Sequence, residues 1–79
     1  MIDVMETLVE NDYTITENTD EAATYAKQTA DGGTEEYTML VNEGRAIHER
    51  YNKNGTQVFS ESITLKTPAQ IGLLIRSIK

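Results

Sequence analysis

The segment Glu36-Tyr-Thr-Met-Leu-Val-Asn42 opens the stretch that decides the fold, which extends to Leu65. Two further runs of alternating apolar and polar residues follow it, Arg45-Ala-Ile-His-Glu-Arg-Tyr51 and Gln57-Val-Phe-Ser-Glu-Ser-Ile-Thr-Leu65. A glycine stands in each connection, where a tight hairpin turn needs a positive φ. The pattern therefore predicts three antiparallel strands joined as a meander.

The two turns also predict the register of the strands, and with it the two faces of the sheet. In the first hairpin, a three-residue loop ending in glycine would place Met39 opposite Ile47 and Glu36 opposite Arg50. The same kind of loop in the second hairpin would place Tyr51 opposite Gln57 and Glu49 opposite Phe59. The apolar face predicted in this way consists of Tyr37, Met39, Val41, Ile47, Tyr51, Phe59, Ile63 and Leu65. The opposite face is rich in Thr and Ser, and we expect His48 to be a solvated side chain there.

The flanking segments complete the predicted fold. Residues 1–11 suit a short amphipathic helix with a stripe of Ile2, Met5, Leu8 and Val9. Residues 13–17 suit a strand. Residues 18–30 fit a helix, because an Ala-rich run follows Thr19, and they also fit a strand, because their side chains alternate with a period of two. Of the two, we favour the strand. The segment Thr67-Pro-Ala-Gln70 is typical of a capping box at the start of a second helix.

Together these elements predict one α+β domain over residues 1–79. It is an antiparallel meander of four or five strands, with N- and C-terminal helices packed on one face. The Thr- and Ser-rich face is then left open. The absence of Cys and of any long apolar run favours a complete, soluble, cytoplasmic chain that does not enter a membrane.

The charge is divided unevenly along the chain. Residues 1–43 hold eleven acids and one base, whereas residues 44–79 hold two acids and six bases. Such asymmetry concerns partners more than fold. It argues against direct nucleic-acid binding through the acidic half, because like charges repel phosphate.

No catalytic or metal-binding motif stands out. His48-Glu49 lies in a strand pattern with no second His, and neither glycine turn has the acid spacing of a calcium loop. Adjacent acids such as Glu35-Glu36 are typical of strand edges and turns. We therefore expect a non-enzymatic protein without cofactor or metal.

Several short segments of the N-terminal half are similar to those of a known group of proteins. They are the acidic helix, Asn11-Asp-Tyr-Thr-Ile15, Asn18-Thr-Asp20, Asp31-Gly-Gly33 and Glu36-Tyr37. With these segments, residues 1–42 resemble the opening of the small acidic anti-Cas9 proteins of prophages. That group has a helix followed by a three-stranded antiparallel sheet and mimics DNA with surface carboxylates. The C-terminal half departs from the group, with a further hairpin and one basic-tipped helix.

The resemblance implies a phage-encoded inhibitor in the host cytoplasm. Its partner would be a CRISPR effector or another DNA-binding protein, whose nucleic-acid site the carboxylates would occupy. The predicted partner-binding residues are Asp12, Glu17, Asp20, Glu21, Asp31, Glu35, Glu36 and Glu43. The alternative is an interaction module or homodimer that uses the open sheet face or an edge strand.

Overall fold

The computed structural model describes residues 2–79, which form an open five-stranded antiparallel sheet and two helices. The elements are α1 (Ile2–Glu10), β1 (Thr14–Asn18), β2 (Ala22–Gln28), β3 (Thr34–Leu40), a 3₁₀ turn (Val41–Glu43), β4 (Arg45–Tyr51), β5 (Gln57–Thr64) and α2 (Pro68–Ile78). The strands lie side by side in chain order, β1-β2-β3-β4-β5. The predicted α+β meander is confirmed; Met1, where the predicted first helix begins, lies outside the described residues.

The segment that fitted both helix and strand is strand β2. Ala23 and Tyr25 point into the core, and the intervening Thr24 lies on the other face, where its hydroxyl is 3.1 Å from that of Thr38. The strand pairs with both β1 and β3, so its backbone groups are bonded on two sides. This pairing outweighs the local helical preference of an Ala-rich run, because tertiary context overrides intrinsic propensity.

Both helices pack on the same face of the sheet, where they share one core with it, and they also contact each other. Helix α1 buries Val4, Thr7 and Leu8, while Ile2 and Val9 are 70% and 60% exposed. The predicted stripe is therefore wrong for Ile2 and Val9, since the buried stripe runs through positions 4, 7 and 8. The buried hydroxyl of Thr7 donates to the carbonyl oxygen of Asp3 at 2.8 Å, which removes the penalty for its burial.

Helix α2 begins with the predicted capping box. The Thr67 hydroxyl accepts a hydrogen bond from the backbone N–H of Gln70 at 3.2 Å, and Oε1 of Gln70 accepts one from the N–H of Thr67 at 3.1 Å. Leu74 is buried against the sheet, with Ile71 and Ile75 packed beside it. The amphipathic spacing seen in the sequence therefore orients this helix correctly.

The predicted register of the meander is wrong at two points. The first connection is a 3₁₀ turn that ends at Gly44 with φ 63°, and it places Met39 opposite Ala46 rather than Ile47. In the second hairpin Tyr51 does lie opposite Gln57, as the sequence predicts. The ladder is irregular beside that pair, and Phe59 lies opposite Arg50 rather than Glu49. Each irregularity shifts the pairing by one residue.

The consequence is that strand β4 alone is turned over relative to the prediction. Ala46 and His48 are buried under the helices, whereas Ile47 and Tyr51 lie on the open face. A one-residue slip sends every side chain of a strand to the other face, and the second slip restores β5. Val41, also predicted in the core, is half-exposed in the 3₁₀ turn.

Candidate functional site

The division of charge along the chain becomes a division across the molecule. Because the strands follow chain order, β1 forms one edge of the sheet and β5 the other. Residues 2–26 contain seven acids and no base. All seven are exposed on α1, β1 and their connections: Asp3, Glu6, Glu10, Asp12, Glu17, Asp20 and Glu21. We name this set the acidic edge.

A backbone hydrogen bond at the end of α1 connects the two parts of the acidic edge, which are α1 and β1 with its turns. The N–H of Tyr13 donates to the carbonyl of Leu8 at 3.0 Å, and Asp12 takes a left-handed φ of 70° between them. Helix α1 therefore leads into β1 with no flexible linker. Glu6 and Glu10 flank a shallow depression of about 330 Å³ over Tyr25 of β2.

The acidic edge has no internal counter-charge. Throughout residues 2–79, none of its seven carboxylates forms a salt bridge. Surface salt bridges contribute little to stability, so a small domain tolerates these unpaired carboxylates. A surface that carries charges of one sign attracts molecules of the opposite sign over long range.

Four of the eight predicted contact residues lie on the acidic edge, namely Asp12, Glu17, Asp20 and Glu21. The helix acids Asp3, Glu6 and Glu10 were not among those eight. Their spacing on the exposed side of an amphipathic helix was the sequence signal that could have included them.

Two of the remaining predicted residues are engaged in local structure. Asp31 accepts hydrogen bonds from the hydroxyl of Thr29 and from the N–H of Gly33, which close the β2–β3 turn. These bonds, that from Thr29 foremost, hold the pKa of Asp31 below its ordinary value. Glu43 forms a salt bridge of 3.1 Å with Arg45 at the other end of the sheet.

Glu35 and Glu36 are neighbours in the chain but lie on opposite faces of β3. Glu36 is on the open face, directly opposite Glu49 of β4, rather than opposite Arg50 as the predicted register had it. Partial burial, and then the charge of Glu49, raise the pKa of Glu36 above its ordinary value. Like charges directly opposite in a sheet are destabilising, so this pair is a local electrostatic strain.

Glu35 lies under the helices and binds the buried His48. Its Oε2 is 2.8 Å from Nε2 of His48, and Nε of Arg50 lies 3.9 Å from the same oxygen. The expectation of a solvated His48 is wrong, because its side chain is turned into the core with the rest of β4. The turn length that decides this orientation has no clear signature in the sequence.

Tyr37, on the same strand as Glu35, stacks on the ring of His48. Burial, followed by the charge of Glu35, raises the pKa of Tyr37 to about 12. Glu35 and His48 thus satisfy each other's polar atoms inside the fold. We assign the cluster a structural role.

Comparison with known proteins yields no relative, since the chain matches no family model, no curated protein and no solved structure. Within the described residues, no group of three or more His, Asp or Glu side chains is placed to hold a metal ion. Neither described helix has the length and apolarity needed to cross a membrane.

Proposed function

We propose that this protein is a non-enzymatic inhibitor that binds a basic effector protein through its acidic edge. The edge would occupy the site where the effector binds nucleic acid. The observation that carries this proposal is the set of seven exposed carboxylates on α1, β1 and their connections. No cation lies among residues 2–26, and none of the seven forms a salt bridge within residues 2–79.

The physical basis is competition between carboxylates and phosphates. A protein that binds DNA presents Lys and Arg side chains to the phosphate backbone, which supplies most of the sequence-independent affinity. Carboxylates held on a helix and a strand can meet the same cations at little entropic cost, because their backbone is already ordered. Long-range attraction also speeds the encounter and makes it sensitive to salt.

The resemblance of residues 1–42 to anti-Cas9 proteins makes a CRISPR nuclease the first partner to test. In that setting the protein would be phage-encoded and would act in the cytoplasm of the host. The acidic edge provides Asp12, Glu17, Asp20 and Glu21 of the expected contact residues, together with the three acids of α1. Asp31 and Glu43 would contribute less, because each is already engaged within the fold.

A competition experiment with matched variants tests the proposal. The purified chain is used as bait in a bacterial lysate that contains a Cas9-type nuclease, with and without added duplex DNA. The edge variant is Glu17→Gln, Asp20→Asn and Glu21→Gln combined. The control variant removes the same number of charges elsewhere, by Glu36→Gln, Glu49→Gln and Glu61→Gln.

The proposal expects capture of the nuclease that duplex DNA abolishes. It also expects the edge variant to lose most of the capture and the control variant to keep it. If both variants lost capture equally, capture would depend on the net charge of the protein and not on the acidic edge. Capture that is indifferent to DNA would contradict the inhibitor function.

A second function is favoured by the Glu36–Glu49 pair on the open sheet face. Half-buried Leu40, Ile47 and Tyr51 lie on this face beside the two carboxylates. A partner that inserts a Lys or Arg between the carboxylates and covers the apolar groups would relieve the strain. This interaction module predicts the reverse result, in which the control variant loses capture, the edge variant keeps it, and DNA has no effect.

A further inference from the structure

The outer edge of β5 presents backbone groups that no strand of this chain pairs. The N–H of Leu65 donates to the carbonyl of Gly44 at 2.8 Å, so this position faces β4. Backbone groups of successive residues alternate in direction along a strand of an antiparallel pair. The N–H and C=O groups of Ser60, Ser62 and Thr64 therefore point outward, away from β4.

The two edges of the sheet differ in how well they are protected against pairing. Strand β1 has five residues, a register shift in its middle and the charged Glu17. Strand β5 has eight residues, its irregularity is confined to its first residues, and its only charged side chain is Glu61. Short length, bulges and charges are the usual devices that prevent strand addition. The β5 edge has the fewest of them.

A groove runs along this edge between β5 and α2. Its volume is about 440 Å³, and His48, Ile63 and Leu74 are among the residues that line it. Leu73 of α2 stands at its rim with 61% of its surface exposed. The groove thus combines an unpaired strand with an apolar wall, as in proteins that bind a peptide by adding a strand to a sheet.

We propose that the groove binds an extended segment of a partner protein, which adds to β5 as a sixth strand. The residues of β5 on the groove side are Phe59, Glu61 and Ile63, because they pair with the core-facing side of β4. Glu61 forms no salt bridge within residues 2–79. An incoming strand would therefore place a Lys or Arg opposite Glu61 and apolar side chains opposite Phe59 and Ile63. The recognised pattern is apolar-x-basic-x-apolar.

Charge complementarity selects a partner segment over a second copy of this chain. Antiparallel pairing of β5 with its own copy places Glu61 opposite Glu61, or opposite Phe59 or Ile63, depending on the register. Like charges directly opposite are unfavourable, and an apolar neighbour offers the carboxylate no counter-charge. Only another sequence can supply the cation.

This site is independent of the proposed inhibitor function. The acidic edge lies along β1 and α1, and the groove lies at the opposite edge of the sheet. Failure of one proposal therefore leaves the other unchanged.

The test uses three blocked synthetic peptides and the full chain. In the first, threonine alternates with leucine, arginine and valine in that order. The second has glutamate in place of the arginine, and the third carries N-methyl groups on alternate backbone nitrogens. Binding is followed by fluorescence anisotropy and by ¹H–¹⁵N chemical shifts of the protein.

Three substitutions separate the contributions of charge, apolar contact and strand pairing. Glu61→Lys should weaken binding of the arginine peptide about two- to fivefold and reverse the preference toward the glutamate peptide. Leu73→Ala should weaken binding about fivefold, and Val9→Ala, an equally exposed apolar residue on α1, should leave it unchanged. Ser62→Pro removes an outward N–H and should abolish binding, while thermal unfolding of each variant checks that the domain is folded.

The proposal expects shifts confined to β5 and α2, and no binding of the N-methylated peptide. It is overturned if the arginine peptide does not bind, or if the shifts map to β1 or the open face. It is also overturned if β5 shifts appear with protein concentration alone, since a second copy would then occupy the edge.

Discussion

The imidazole of His48 lies parallel to the ring of Tyr37, with ring centroids 4.2 Å apart and an angle of 8° between the planes. Tyr13 meets the same tyrosine edge-on at 5.5 Å, and Phe59 meets the histidine edge-on at 5.2 Å. A row of aromatic rings thus crosses the sheet beneath the helices. The row links β3 to β4 and β5, and Glu35 contacts its histidine.

We predict that His48→Ala lowers the free energy of unfolding by about 2–4 kcal/mol. The substitution removes a buried ring and leaves the half-buried Glu35 without its closest partner. Urea unfolding measures the change. Ser60→Ala, at an exposed position on β5, is the control and should change stability by less than about 0.5 kcal/mol. A similarly small effect of His48→Ala would contradict the buried placement of the imidazole.

We predict that Glu36→Gln stabilises the protein at neutral pH by roughly a few tenths of a kcal/mol, because it removes a partly buried charge and its repulsion from Glu49. The pKa of Glu36 is raised in the folded state, so the folded chain binds this proton more tightly than the unfolded chain does. Stability is therefore lost as the pH rises from the ordinary value of 4.5 through the raised one. The gain from Glu36→Gln should be present above that window and absent below it.

Urea midpoints at neutral pH and well below pH 4.5 measure this difference. A double-mutant cycle with Glu49→Gln provides the control, since the second substitution should add less than it does alone. Additive effects at neutral pH would show that the two carboxylates do not interact.

Gly33 and Gly72 should respond to alanine with opposite signs. A Cβ at Gly33 would lie 2.3 Å from the carbonyl oxygen of Tyr51, so the backbone of the β2–β3 turn or of β4 must move. We expect Gly33→Ala to cost about 1–3 kcal/mol. A Cβ at Gly72 meets no atom within 4 Å, and alanine in a helix is favoured over glycine by about 0.5–1 kcal/mol.

Thermal unfolding distinguishes the two substitutions, since about 1 kcal/mol shifts the midpoint of a domain of this size by about 4–8 °C. The Gly72→Ala midpoint should rise and the Gly33→Ala midpoint should fall. A rise in both would mean that the turn can accommodate a side chain where Tyr51 approaches it.

The association rate with a captured basic effector should fall steeply with salt. Attraction between the acidic edge and the effector is long-ranged, and it is screened over about 10 Å at 0.1 M salt. We expect the rate to fall by about tenfold or more between about 0.02 and 0.2 M salt. The combined Glu17→Gln, Asp20→Asn and Glu21→Gln variant should show a shallower dependence, and stopped-flow measurements would reveal it. A dependence as steep as that of the unchanged chain would place the interface elsewhere.

The candidate site was only partly visible in the sequence. Because no Lys or Arg precedes Lys27, the sequence predicted an acidic surface. Four of the predicted acids do lie on the acidic edge. The structural role of Glu35 could not be predicted from the sequence, because it depends on a histidine of another strand. The groove beside Leu73 requires β5 to be an edge strand and α2 to lie next to it, which no local pattern encodes.

The sequence by itself determined the order of the elements, the type of every element except β2, and the capping of α2 by Thr67. These features depend on interactions between residues close in the chain, so local patterns suffice to predict them. Only the tertiary structure decided which face of β4 is buried. That choice depends on a 3₁₀ turn before Gly44 and an irregularity beside Tyr51, and a difference of one residue in either connection turns the strand over.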